Sequence, residues 1–265
     1  MYTVHPIRCG TLDLPKTILT YNLDEGVTVP SPVVVFLLLP EDPDDPVVVV
    51  DAGAEGGEVA GRSIPDGGPE PIRAGLAEHD VAPADVDYLV LTHLHHDHAA
   101  NVDLFAESEV LLQRSELEAA RDPLPPVSRA YIDAHVTALE NADLTFLDGG
   151  YRLHPDLDIR HTPGHTEGMQ SVVVETEGGT HALVCDLIYC RQNLQPDASE
   201  IRDVHGGTVG VTPVDYDPPY VPPGLHADVA DCYESVARMQ ERVGPDGVLV
   251  GAHDPAVLDG PYPRT

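Results

Sequence analysis

The run LTHLHHDHAANV, residues 91–102, sets four histidines and one aspartate within the six positions from His93 to His98. No single strand or helix face can bury His93, His95, Asp97 and His98 together, because strand side chains alternate and helix neighbours recur every three or four residues. A turn at the end of a strand can aim several of them at one point. The order His-x-His-x-Asp-His offers two imidazoles two positions apart, then an adjacent carboxylate and imidazole, which is enough for two cation sites. Imidazole and carboxylate are ligands for Zn2+ and similar divalent ions. The plainer reading of the cluster taken alone is a solvated polar loop or a histidine-rich metal scavenger.

Other segments argue against the plainer reading. VVVVDAG ends an apolar run on Asp51, LVCDLIY ends another near Asp186, and GVLVGAHDP ends a third on His253. HTPGHTEG places His165 after a strand, in a Pro-Gly turn that brings backbone and side chain close. A charged group at the end of a buried run needs a partner or a metal. Four such endings beside one histidine cluster point to a shared site.

The elements that must carry these residues come in two similar sets. YTVHPIRCGTL, SPVVVFLLLP and PVVVVDAG read as strands from their β-branched content and their Pro and Gly punctuation. PEPIRAGLAEHD reads as a helix with Ile72 and Leu76 on one face, followed by the strand DYLVL, the strand EVLLQ and the helical pieces SELEAARD and RAYIDAHVTALENA. The second half restarts with strands at LTFL, YRL, LDIRHT, QSVVVETE and THALVCDL. A proline-rich loop at residues 195–223 then precedes the helix HADVADCYESVARMQERV and the strand GVLVGAH. Strands then helices, twice over, predict two facing sheets with helices outside, a four-layer αββα sandwich of the α+β class. No repeat or linker divides the chain, so residues 1–265 are expected to form a single domain.

The 265 residues are ample for a buried core. Acidic residues number 45 against 14 basic ones, for a formal charge of −31, and Lys16 is the only lysine. The carboxylates are scattered among apolar periodic segments, so they describe a solvated acidic surface and not a disordered tail. Such self-repulsion is tolerable where salt screens it, which predicts a halophilic source. No run approaches a membrane span and no signal segment opens the chain. The four cysteines show no CxxC pairing, so a cytoplasmic protein with reduced thiols is expected, with neither nucleic acid nor membrane as partner.

The ordered set THLHHDH, HTPGHT, CD and GAH, led by VVVVDAG, resembles the metallo-β-lactamase superfamily over nearly the whole chain. The resemblance implies the αββα fold and a ligand set. His93, His95 and His165 would hold one metal, Asp97, His98 and His253 a second, and Asp186 would bridge both together with a hydroxide. Asp51 would orient ligands without touching a metal, and His96 would point away. The related flavodiiron branch has a glutamate where this chain has His95, which argues against oxygen reduction.

HTPGHTEGMQS, CDLIY and VLLQRSELEAA are similar to the N-acyl homoserine lactonase branch, whose activity is quorum quenching. A tyrosine lies three positions after the bridging aspartate in that branch, and Tyr189 stands at that offset here. The resemblance thus gives the catalytic roles to Asp97, Asp186 and Tyr189, with two divalent ions, zinc foremost, as cofactors and a small lactone or ester as substrate. GAHDP departs from that branch by an alanine before the histidine, and the interval from Asp186 to His253 is long. The alternatives are a thioesterase of the glyoxalase II kind, for which the chain has few cations to bind glutathione, and a non-catalytic metal-binding protein on the same fold. PVDYDPPYVPPG is expected to be a rigid lid or a contact in a homodimer, His205 and His226 solvent-exposed, and Cys190 a packed thiol.

Overall fold

A computed structural model describes residues 1–262. The first half contains β1 (Tyr2–Pro15), α1 (Lys16–Leu19), β2 (Thr28–Pro40), β3 (Val48–Val50), a small hairpin of β4 (Gly57–Val59) and β5 (Arg62–Ile64), and α2 (Pro69–Ala77). There follow β6 (Tyr88–Val90), β7 (Glu109–Gln113), α3 (Arg114–Arg121), α4 (Asp133–Ala138) and β8 (Asp143–Leu147). The second half runs through β9 (Tyr151–His154), β10 (Leu157–His161), β11 (Gln170–Thr176), β12 (Gly179–Cys185), α5 (Arg191–Leu194), β13 (Glu200–Arg202), β14 (Thr208–Gly210), α6 (Val229–Val243) and β15 (Val248–Gly251).

One sheet has the order β1-β2-β3-β6-β7-β8 and the other β15-β12-β11-β10-β9. β2 explains why they face each other. Its apolar run has no polar face, as expected of a strand covered on both sides. Val33, Val35 and Leu37 point to one core with Ile72 and Leu76 of α2 and Leu117 of α3. Val34, Phe36 and Leu38 point to the other, with Val172 and Val174 of β11 and Leu183 of β12. Val236 and Met239 of α6 close the far side of the second sheet. This is the αββα sandwich that the element order predicted.

Three expectations are corrected. β8 restarts the strands but pairs in parallel with β7, so it closes the first sheet instead of opening the second. RAYIDAHVTALENA is one short helix, α4, flanked by single 3-10 turns at Ser128–Ala130 and Leu139–Asn141. The proline-rich segment is not all loop, since β13 and β14 pair as a hairpin within it. Tyr220 and Val221 near its end are buried, and Val221 N–H donates to the Asn193 carbonyl of α5 at 2.9 Å.

Lys16, the only lysine, is fully buried. Its ammonium donates to Thr20 and, at 2.6 Å, to Gln192 Oε1, and lies 3.8 Å from Asp24. Burial lowers its pKa, against the pull of Cys190 and Asp24. No helix among the described residues is long and apolar enough to cross a membrane. The four cysteines are free and buried, including Cys190.

Candidate metal centre

The chemistry-bearing residues follow the C-terminal ends of strands from both sheets. Asp51 follows β3, the histidine cluster follows β6, His165 follows β10, Asp186 follows β12 and His253 follows β15. Open α/β-type sheets present ligand-binding loops at such ends, and the sandwich brings two sets of them to one edge. Gly164 and Gly168 let the loop around His165 lie flat. Gly164 has φ +141, and a Cβ there would sit 2.6 Å from the Cys232 nitrogen of α6. A Cβ on Gly168 would lie 2.1 Å from the Glu116 nitrogen.

Seven side chains converge into two groups. Donor atoms of His93, His95, His165 and Asp186 lie within 4.8 Å of one another, as do those of Asp97, His98 and His253. Asp186 splits its carboxylate between them. Its Oδ2 is 3.4 Å from His165 Nε2 and 3.7 Å from His93 Nε2, while its Oδ1 is 3.2 Å from His98 Nε2 and 3.3 Å from His253 Nε2. Asp97 Oδ2 is 3.5 Å from His253 Nε2 and 4.0 Å from His98 Nε2. All seven are buried.

Neighbouring groups fix which imidazole nitrogen faces inward. His165 Nδ1–H donates to the Leu225 carbonyl at 2.7 Å and His253 Nδ1–H to the Pro32 carbonyl at 2.8 Å. His98 Nδ1–H donates to Asp51 Oδ2 at 2.8 Å. Thr92 Oγ1 spends its proton on Asp51, so it accepts from His93 Nδ1 at 3.1 Å. In each case the Nε2 lone pair is left for the centre, the arrangement by which outer partners orient metal-ligating histidines. His95 turns Nδ1 inward, 2.9 Å from His165 Nε2.

The donor set fits cations. His93 Nε2, His98 Nε2, His253 Nε2 and Asp186 Oδ1 are buried without a hydrogen-bond partner. Each such atom costs about 1–3 kcal/mol, and four at one point require a common partner. Burial holds His93, His95 and His165 below the usual imidazole range, so they are neutral ligands. For His98 and His253 burial pulls the same way but is outweighed, by Asp186 first, so both are raised. That uncompensated negative field is the one a divalent ion answers.

Residues 28–253 match the family described as the metallo-beta-lactamase superfamily. The chain belongs to this superfamily. Within it, 114 residues are 35% identical to an N-acyl homoserine lactonase of Bacillus sp, covering 43% of each chain. Another 31% identity extends over 144 residues to an N-acyl homoserine lactonase of Rhizobium rhizogenes, covering 51% of this chain and 52% of the relative. The chain thus spans about half the length, or less, of the curated relatives it matches. Among solved structures it is similar to an N-acyl homoserine lactone hydrolase with the product N-hexanoyl-L-homoserine at its catalytic metal centre. The TM-score there is 0.74 at 23% identity, over 95% of this chain and 93% of that one. AidC, described as a dizinc quorum-quenching lactonase, superposes with TM-score 0.67 at 12% identity, over 95% and 87%. These likenesses carry the fold, and fold together with the two donor groups makes this a dinuclear metal site.

Asp51 belongs to neither donor group. Fully buried and at φ +66, it accepts from Thr92 N–H at 2.7 Å as well as from His98. Tyr189 is buried at the centre, stacked on His253 at 4.9 Å and 12°, and its phenol pKa is held up by burial and by the charge of Asp186. His96 is corrected. It belongs to neither donor group, yet it is 7% exposed and lines a small well with Asp97 and Tyr189. His205 is exposed as expected, whereas His226 is half-buried and lines a groove that reaches His95 and His165.

Glu116 escaped the sequence reading. It is fully buried and accepts from Leu94 N–H at 2.9 Å, Thr166 Oγ1 at 2.6 Å and Gly168 N–H at 3.2 Å. One carboxylate therefore ties the His93–His98 turn to the His165 loop. Burial raises its pKa to about 7 against those hydrogen bonds. In sequence it looks like any helix glutamate, and no local signal marks it.

Proposed function

We propose that this protein is a dizinc hydrolase that opens lactone rings, with N-acyl homoserine lactones as the substrate class. The observation that carries the reading is Asp186, whose two oxygens address two separate donor groups. His93, His95 and His165 would hold one zinc, Asp97, His98 and His253 the other, and Asp186 would bridge them. Two cations about 3.5–4 Å apart lower the pKa of a bound water and polarise an ester carbonyl. Imidazole and carboxylate suit zinc, and a structural relative is described as dizinc.

The chain's own contribution is orientation. Asp51 and the carbonyls of Pro32 and Leu225 hold the imidazoles in register, and the Tyr189 hydroxyl would donate to the carbonyl oxygen as charge develops on it. The wide groove beside His95 and His165, about 500 Å3, is lined in part by Ala119, Pro123, Leu124, Val127 and Ala227, which suits an acyl chain. Residues 1–265 are read as one domain in the cytosol of a salt-rich cell. The acidic surface, a lysine withdrawn into the core and four free thiols support that setting.

The test is turnover of lactone, thioester and phosphodiester panels by metal-loaded protein. N-acyl homoserine lactone hydrolysis that stops with chelator and returns with zinc supports the reading. Faster thioester than lactone cleavage would replace it with the glyoxalase II kind of activity.

A further inference from the structure

The protein has 14 basic residues against 45 acidic ones, yet three of its arginines line a single cavity of about 410 Å3. Arg160 and His161 come from β10, Arg238 and Arg242 from α6, and the turn at Gly149 and Gly150 forms the rim. No carboxylate lines the cavity, and none of its residues is a donor of the metal centre.

The carboxylates close to this cavity are outnumbered. Buried Asp158 is shared by three guanidiniums: Arg160 pairs with its Oδ2, Arg152 lies 3.7 Å from that oxygen and Arg242 3.9 Å. Arg242 also pairs with Glu175 at 3.1 Å. Arg238 donates to Ser235 Oγ at 3.0 Å, and no described carboxylate lies within 4.0 Å of it. Four guanidiniums thus share two carboxylates, a surplus of two positive charges on a chain of formal charge −31. Cations gathered this closely repel one another, and an anion that bridges them relieves the repulsion.

The chemistry of the wall selects the anion. Each guanidinium presents a planar fork that matches phosphate oxygens. One fork would answer a carboxylate, whereas a phosphate dianion has the charge and the oxygens to meet the whole surplus. His161 gives its Nε2–H to the Glu167 carbonyl at 2.9 Å, so the ring is fixed in the wall and the arginines carry the charge. A cavity of this size lies toward the lower end of ligand pockets, about 300–1,000 Å3. It admits phosphate with a small organic group, and at Gly149 nothing lies within 4 Å of where a Cβ would stand.

We propose that this cavity is a second binding site, for a phosphate dianion, free or carried by a small metabolite, held by Arg160, Arg238 and Arg242. It is independent of the hydrolase reading.

The test is calorimetry on metal-loaded protein at fixed KCl, with ribose 5-phosphate, ribose and inorganic phosphate. Ribose 5-phosphate should bind and ribose should not. Arg238→Gln breaks no ion pair to a described carboxylate, so the fold is kept, and affinity should fall by about tenfold or more. Arg238→Lys should keep part of the affinity. Arg73→Gln removes the same charge from α2, on the other side of the sandwich, and should leave affinity unchanged. Phosphate held by the metals is common to all these proteins, so differences between variants report the cavity. Arg238-dependent binding of inorganic phosphate as tight as that of ribose 5-phosphate would make the ligand the free ion, and tighter ribose 5-phosphate would make it an ester. Equal affinities in wild type and Arg238→Gln, or equal losses in Arg238→Gln and Arg73→Gln, overturn the proposal.

Discussion

The carboxylate of Asp51 accepts the Nδ1–H of His98 at 2.8 Å, joining the end of β3 to the histidine turn that follows β6. The same carboxylate holds Thr92, whose hydroxyl in turn accepts from His93. One buried aspartate thereby orients an imidazole in each donor group. Asp51→Asn suits the left-handed backbone at this position, φ +66, since asparagine tolerates it. The amide cannot accept on both arms as the carboxylate does. Chelator-competition titration should show metal affinity falling by about 10–100-fold, with the circular dichroism spectrum unchanged.

Asp186→Ala removes the carboxylate shared by both donor groups and leaves cation repulsion uncompensated. Hydrolysis should be abolished, and elemental analysis should show metal falling below two per chain. Retention of both metals would mean that the bridge is elsewhere.

Tyr189→Phe deletes one hydroxyl and leaves the seven donors in place. Loss of a single oxyanion donor costs about 10²–10³ in kcat where it acts alone. A metal sharing the charge should reduce that to about tenfold to a hundredfold, with KM changing less. Steady-state kinetics on an acyl homoserine lactone, with metal content checked in parallel, decides it. An unchanged kcat at full occupancy makes Tyr189 a packing residue.

Glu116→Ala strands the buried donors of Leu94, Thr166 and Gly168 at about 1–3 kcal/mol each. Thermal unfolding should drop steeply, and metal affinity should fall with it because two ligand loops lose their common tie. Glu116→Gln keeps an acceptor and should fall between wild type and alanine. If alanine melts like wild type, the loops are held by the metals alone.

Salt should stabilise the fold. With a formal charge of −31 and its lysine buried, the protein carries strong surface repulsion. The Debye length shortens from about 10 Å at 0.1 M to about 3 Å at 1 M. Melting temperature should climb across that range of KCl, and a flat profile would end the halophile argument.

Much of the centre was legible in the chain because several of its residues stand where a strand run ends. Asp51, His93, His165, Asp186 and His253 announce themselves as polar groups where burial is otherwise continuous. The strand-and-helix order was enough for the layers, since a sheet of β2's composition must be covered on both faces. β8 was misread because its apolar run looks the same in either sheet; only pairing with β7 decides membership.

Partner choice belonged to the tertiary structure alone. Nothing local distinguishes Glu116 from the solvated glutamates of other helices, or Lys16 from a surface lysine. Their burial follows from which loops the sandwich lays over them. Carbonyls such as Pro32 and Leu225 carry no side-chain signature at all, yet they set the tautomer of His253 and His165. His96 shows the same divide, because its motif position names a residue type while the shape of the well around it decides that Nδ1 is buried without a hydrogen bond. Sequence determines which groups are available and which elements carry them. Long-range packing decides which of those groups meet, because hydrogen bonds and charges act over a few ångströms between residues far apart along the chain.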